Sequence, residues 1–140
     1  MALTTKAALV TIQGVKRPYA ETRPIEIVEI ALDPPGEEEV LVKVDAAAIC
    51  HTDLSFVSGD RPKGMPMVLG HEACGTVAEC GPRVTGFSPG DQVVFSFVPR
   101  CGHCTECIGG HPVLCVEGSR RMVPARSSRA SAACTIRVFP

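Results

Sequence analysis

The sequence has no tryptophan, one tyrosine and five phenylalanines among its 140 residues. A core without large rings must rest on Val, Ile, Leu and Ala, which favours β structure with a small, tight interior. No apolar run approaches the ~18 residues of a membrane-spanning helix. The start, Met1 to Val10, carries Lys6 before an apolar run of only four residues, Ala7–Val10. That is too short for the apolar stretch of a secretory signal, so the cytoplasm is the expected location and no membrane partner is expected. Formal net charge is −1, which gives no reason to expect nucleic acid. No Gly-x-Gly occurs anywhere, so the Gly-x-Gly-x-x-Gly turn that cradles a dinucleotide pyrophosphate is excluded.

What the chain does have is cysteine, glycine and proline: 8, 13 and 12 residues. In a cytoplasmic chain, eight thiols point to metal or catalysis rather than to disulfides. Short strands are expected over Lys6–Ile12, Ile25–Leu32, Glu39–Val44, Ala73–Cys80 and Gln92–Val98. Val40, Val42 and Val44 should share one face. Asp33-Pro34-Pro35-Gly36, Gly81-Pro82 and Phe87-Ser88-Pro89-Gly90-Asp91 read as turns. Thr52–Ser58 reads as a short helix ending before Gly59. Close-spaced strands with little helix predict a mainly β fold, a small barrel rather than a doubly wound parallel sheet.

From Val98 to Cys115 the pattern loses all periodicity. Here Cys101, Cys104, Cys107 and Cys115 stand in a C-x2-C-x2-C-x7-C spacing. Thiolates are soft donors, and four of them close a tetrahedron around zinc with no position left for substrate. Such a site is structural, and its metal replaces the packing that the lobe lacks. An iron–sulfur cluster also uses C-x2-C-x2-C, but the ferredoxin run continues x3-C-P, whereas seven residues intervene here and Val116 follows Cys115. Three cysteines at this spacing are poorly placed to pair as disulfides. His103 and His111 lie inside the lobe and are alternative ligands, or ordinary exposed histidines. Cys74 and Cys80 share one face of a strand and read as buried thiols.

Two further segments carry chemistry: Cys50-His51-Thr52-Asp53 and Gly70-His71-Glu72. Taken singly they have plain readings. Cys50 follows Ala46-Ala47-Ala48-Ile49 and reads as a core thiol. Thr52 reads as a helix cap, Asp53 as a first-turn acid, and Glu72 as solvated. Joined to the cysteine lobe, they resemble the zinc-dependent medium-chain alcohol dehydrogenases. The likeness runs from Lys6 to Cys115 through Cys50–Leu54, Gly70–Val77, Gly81, Val84 and Gly90–Val93. The Cys-His-Thr-Asp form is more like the alcohol and class III formaldehyde-type members than the sugar-alcohol dehydrogenases.

The resemblance implies a GroES-like β-barrel, residues 1–116, with the structural zinc lobe at 98–116. It implies that Cys50 and His71 hold a catalytic zinc, with a third ligand beyond residue 140. Alcohol dehydrogenase is itself the standing example of a Cys2His catalytic zinc. It further implies that Thr52 accepts the alcohol proton and that His51 ends a relay or meets a cofactor phosphate. Asp53 and Glu72 would orient a metal ligand. The partners implied are a small alcohol or aldehyde and NAD(P), whose Rossmann domain this sequence does not contain.

Residues 117–140 hold five arginines, Arg120, Arg121, Arg126, Arg129 and Arg137, against one acid, Glu117. This segment departs from the family and reads as a disordered, Arg/Ser-rich end of the kind a frameshift or misjoining produces. Cys134 lies in it and is not expected to serve as the missing ligand. Five arginines without interleaved aromatics make a poor nucleic-acid surface. The competing functions are therefore a dehydrogenase part, a zinc-binding remnant without turnover, and a GroES-like module of chaperonin type. Two separate metal motifs argue against the last.

Overall fold

A computed structural model describes residues 3–121 and 136–137. In chain order the elements are β1 (Leu3–Val10), α1 (Tyr19–Thr22), β2 (Glu26–Leu32), β3 (Glu39–Ala48) and α2 (His51–Ser58). There follow β4 (Met67–Val68), β5 (Glu72–Cys80), β6 (Gln92–Val94), α3 (Thr105–Ile108), a 3-10 turn (Pro112–Leu114), α4 (Val116–Arg121) and β7 (Ile136–Arg137). Strands dominate, as the sequence predicts. The chain divides into two compact units. One comprises the described residues up to Asp33 together with Ala47–His71; the other comprises Pro34–Ala46 and the described residues from Glu72 onward.

The first unit is built on a three-stranded sheet in the order β2-β1-β4. β1 runs antiparallel to β2 from Leu3↔Leu32 to Leu9↔Glu26, and its end pairs with β4 at Leu9↔Val68 and Val10↔Met67. Ala7, Val10 and Ile30 are buried, as are Phe56 and Val57 on α2. Alternation holds on β2: Ile30 is buried, with Val28 and Leu32 half-buried on its face, and Ile27 on the opposite face stands 70% exposed. A period of two sorts side chains onto faces, but coverage depends on what packs there.

Helix α2 starts at His51, one residue before the expected Thr52. Cys50 is its extended cap residue, and its backbone N–H donates to Asp53 Oδ2 at 2.9 Å. This is one half of a capping box, with the acid three residues into the helix. Gly59, at φ 83°, ends the helix as the glycine signal predicts.

The second unit carries the sheet β6-β5-β3-β7. β5 and β6 pair antiparallel at Cys74↔Val94, Gly75↔Val93 and Thr76↔Gln92. β6 is shorter than expected, ending at Val94 rather than Val98. Gly75 is required by close approach: a Cβ there would lie 2.2 Å from the Lys43 carbonyl oxygen. The parity that buries Gly75 and Val77 turns Cys74 outward, so Cys74 is exposed and not a buried thiol. Of the three valines on one face of β3, Val40 is buried and Val44 is 50% exposed.

Helix α4 crosses the expected domain boundary at residue 116, and Ile136–Arg137 pairs with β3 at Val40 and Glu39. The rest of the Arg/Ser-rich segment, including Cys134 and the expectation of disorder, lies outside the described residues.

Candidate metal centres

The cysteine lobe has almost no hydrocarbon core. Ile108, Val113 and Leu114 are 60–75% exposed, while Cys101 and Cys115 are the buried side chains. Left-handed glycines, Gly102 at φ 79° and Gly110 at φ 83°, fold the chain back on itself. Cys104 caps the four-residue helix α3, and Cys115 follows the 3-10 turn. The four sulfurs converge, all within 4.8 Å of one another. Cys101 and Cys107 stand 4.0 Å apart, and Cys104 and Cys115 3.9 Å. Zn–S bonds of ~2.3 Å in a tetrahedron require S···S edges of roughly 3.8 Å, so the set fits one zinc ion. A disulfide needs ~2.05 Å between sulfurs. His103 Nδ1 instead lies 2.8 Å from the Cys101 carbonyl, and His111 is exposed; neither belongs to the group.

The backbone stabilises charge on this sulfur cluster. Cys115 Sγ accepts N–H bonds from Gly118 at 3.2 Å and Cys101 at 3.3 Å; Cys101 Sγ accepts one from Cys104 at 3.3 Å. The Gly118 N–H is the main cause that brings the Cys115 thiol down to about 6. Cys104 is also lowered, chiefly by a backbone bond with Cys107. Cys107 goes the other way, up to about 11, because its surroundings exclude water from the thiolate. The backbone N–H groups thus favour the thiolate at Cys115, while exclusion of water favours the protonated thiol at Cys107.

The first unit holds the second group. Cys50 Sγ and a ring nitrogen of His71 lie within 4.8 Å. Between them stands Asp53, only 3% exposed. Its Oδ2 accepts the Cys50 N–H, and its Oδ1 accepts the Gly70 N–H at 3.4 Å and lies 3.3 Å from His71 Nδ1. One buried carboxylate therefore ties together the segments that carry Cys50 and His71, and it meets the His71 ring through Nδ1 rather than Nε2. Thiolate and imidazole are zinc donors, and two of them leave coordination positions open. Thr52 is half-buried in the first turn of α2, and His51 beside it is exposed, its carbonyl accepting from Ser55 Oγ at 3.1 Å. Glu72 is exposed and opens β5 in the second unit. Sequence reasoning gave Asp53 only a supporting part. The signal was its position three residues after Cys50, where a first-turn acid reaches back to the cap.

Residues 36–135 match the family described as the alcohol dehydrogenase GroES-like domain. The chain belongs to this family. It is 48% identical over 97 residues to putative alcohol dehydrogenase D of Mycobacterium tuberculosis, covering 69% of this chain and 26% of that protein. It is 48% identical over 99 residues to S-(hydroxymethyl)glutathione dehydrogenase of Escherichia coli, covering 70% of this chain and 27% of that protein. The crystal structure of benzyl alcohol dehydrogenase from Acinetobacter calcoaceticus superposes with a TM-score of 0.74 at 36% identity. That match covers 93% of this chain and 34% of the other. The chain thus spans about a quarter to a third of the length of these relatives. The GroES-like fold and the medium-chain alcohol dehydrogenase kinship expected from the motifs both hold.

Proposed function

We propose that this chain is the N-terminal zinc-binding part of an NAD(P)-linked alcohol dehydrogenase, which takes an alcohol to its aldehyde or ketone by hydride transfer. The observation that carries the reading is the pairing of Cys50 with His71 around the buried carboxylate of Asp53. Bound zinc supplies Lewis acidity, which lowers the pKa of an alcohol hydroxyl. Every other part of the step belongs to side chains. Asp53 holds the His71 ring and the Cys50 backbone so that both donors face one point. Thr52, two residues after Cys50, takes the alcohol proton on its hydroxyl and passes it toward exposed His51. Glu72, next to His71 in sequence, is assigned the adjustment of the site's charge. The four-thiolate lobe takes no part in turnover; zinc there substitutes for a hydrophobic core.

The nicotinamide cofactor is held by the part of the relatives that this chain does not span, which suits the lack of any Gly-x-Gly here. His51 is the one residue of this chain assigned to a cofactor phosphate. Zinc ligation by reduced thiols suits the cytoplasm. A second reading, a zinc-binding domain without turnover, is favoured by the same missing fingerprint. Metal analysis and an alcohol-dependent NAD(P) reduction assay on the purified 140-residue chain separate the two. The expected result is one tightly held zinc, a second held weakly, and no turnover by this span alone. Robust turnover would overturn the second reading. Absence of any bound zinc would overturn both.

A further inference from the structure

We infer that Gly118 is a positioning residue of the four-thiolate site, holding the Cys115 sulfur through its backbone N–H. The inference rests on the reading of this lobe as a zinc site, and three observations carry it. First, the Gly118 N–H points at Cys115 Sγ from 3.2 Å, and Gly118 is itself buried. Second, the position admits no side chain: a Cβ would sit 1.6 Å from the Pro99 carbonyl oxygen and 2.6 Å from its carbon. The α4 backbone therefore lies directly against the Pro99 carbonyl, and that contact sets where the N–H points. Third, Cys115 is fully buried, so no water can take the place of a missing N–H donor.

The consequence reaches past the ligand spacing. Cys115 acts as the residue before a helix, its sulfur accepting the N–H three residues on, in the geometry by which Ser or Asp caps a helix. The zinc lobe thus extends at least to Gly118, beyond the break in composition at residue 117. Residue 118 also lies inside the span 36–135 that matches the family. Donors of this kind orient and charge a metal ligand, and their loss costs about 10- to 100-fold in metal affinity.

The test uses the full 140-residue chain and two changes at one position. Gly118→Ala forces α4 away from Pro99. A backbone ester at residue 118, introduced by ligating a synthetic 115–140 segment at Cys115, removes the N–H and adds no bulk. Zinc affinity is read by competition with a chelating dye. The thiolate-to-metal charge-transfer bands are read after cobalt substitution. Val113→Ser, at a position 65% exposed in the same lobe, is the control. Both changes at residue 118 are expected to weaken zinc about 10- to 100-fold. The ester is also expected to shift the cobalt bands, with Val113→Ser unchanged in both readouts. If Gly118→Ala does not fold, the ester alone decides. An ester chain with unaltered affinity and bands would overturn the role of Gly118. An unmodified chain that binds no metal in the lobe would instead overturn the zinc reading on which it rests.

Discussion

Asp53 Oδ1 and His71 Nδ1 face each other across 3.3 Å, with the carboxylate 3% exposed and also bonded to the backbone of Cys50 and Gly70. Seventeen residues separate Asp53 from Gly70, so the carboxylate ties the start of α2 to the loop that carries His71. Replacing Asp53 by Ala leaves two backbone N–H groups without their acceptor. The expected loss of stability is ~1–3 kcal/mol, the cost of stranding buried polar groups. Asp53→Asn keeps one oxygen acceptor and should recover part of that stability while still weakening a metal bound by Cys50 and His71 about 10-fold or more. Urea denaturation and cobalt titration of both variants check this. Equal metal affinity in all three proteins would show that Asp53 is only a cap.

The candidate ligands stand out in the sequence because metal chemistry restricts residue type and spacing. C-x2-C-x2-C-x7-C narrows the choice to a few metals, and the four sulfurs do converge. The supporting groups were less legible. The part played by Gly118 comes from a backbone N–H, which any non-proline residue possesses, and a near-contact with Pro99 that no local pattern records. Composition drew the lobe's edge at residue 116, yet α4 carries the chain through it to Arg121. Strand faces were legible only as parity. Val40 and Val44 share one face of β3, yet Val40 is buried and Val44 stands 50% exposed.

Removing the metal should separate the lobe from the rest. The lobe's apolar residues Ile108, Val113 and Leu114 are exposed, so little hydrophobic burial would remain to order residues 98–121 once the thiolates repel one another. After treatment with a strong chelator and reductant, amide exchange is expected to become fast across 98–121. It should stay slow in β1 and β2, whose seven-residue register does not depend on sulfur. Uniform protection before and after chelation would mean that the lobe has another source of order.

The residual closing of the metal-free lobe, which competes with its opening, should show a two-sided dependence on pH. Cys115 is held at about 6 against the usual 9.0, so its thiolate favours the folded state above pH 6, and fully so above 9. That stabilisation is lost as pH falls from about 9 toward 6. Cys107 is raised to about 11, so the folded lobe resists its ionisation and loses stability as pH rises from 9 toward 11. Protection of the lobe amides in the reduced apo chain, corrected for the intrinsic exchange rate, should therefore be highest near pH 9. Cys115→Ser should flatten the acid limb, and Cys107→Ser the alkaline one. A profile unchanged by either substitution would exclude these thiols as its source.

Gly75 gives a test of the second unit that is independent of metal. A Cβ at this position would lie 2.2 Å from the Lys43 carbonyl oxygen and 2.8 Å from a Val42 methyl carbon. Neither neighbour yields cheaply: the oxygen belongs to β3 backbone, and the methyl sits on a stiff β-branched side chain. Gly75→Ala must move β5 away from β3, straining the Thr76 to Asp45 side-chain bond at 3.3 Å on the adjacent residue. Overpacking of this kind costs typically ~1–3 kcal/mol. Gly86 is the comparison, with φ +82° and nothing within 4 Å of a built Cβ. There, alanine meets only the left-handed backbone, at a cost of ~1–2 kcal/mol. Denaturant midpoints of the two variants, with zinc content measured alongside, decide the matter. Gly75→Ala is expected to be the less stable of the two, with lobe zinc retained. A Gly75→Ala chain as stable as Gly86→Ala would mean that β3 and β5 can separate freely, and that the glycine in this strand reflects something other than close backbone approach.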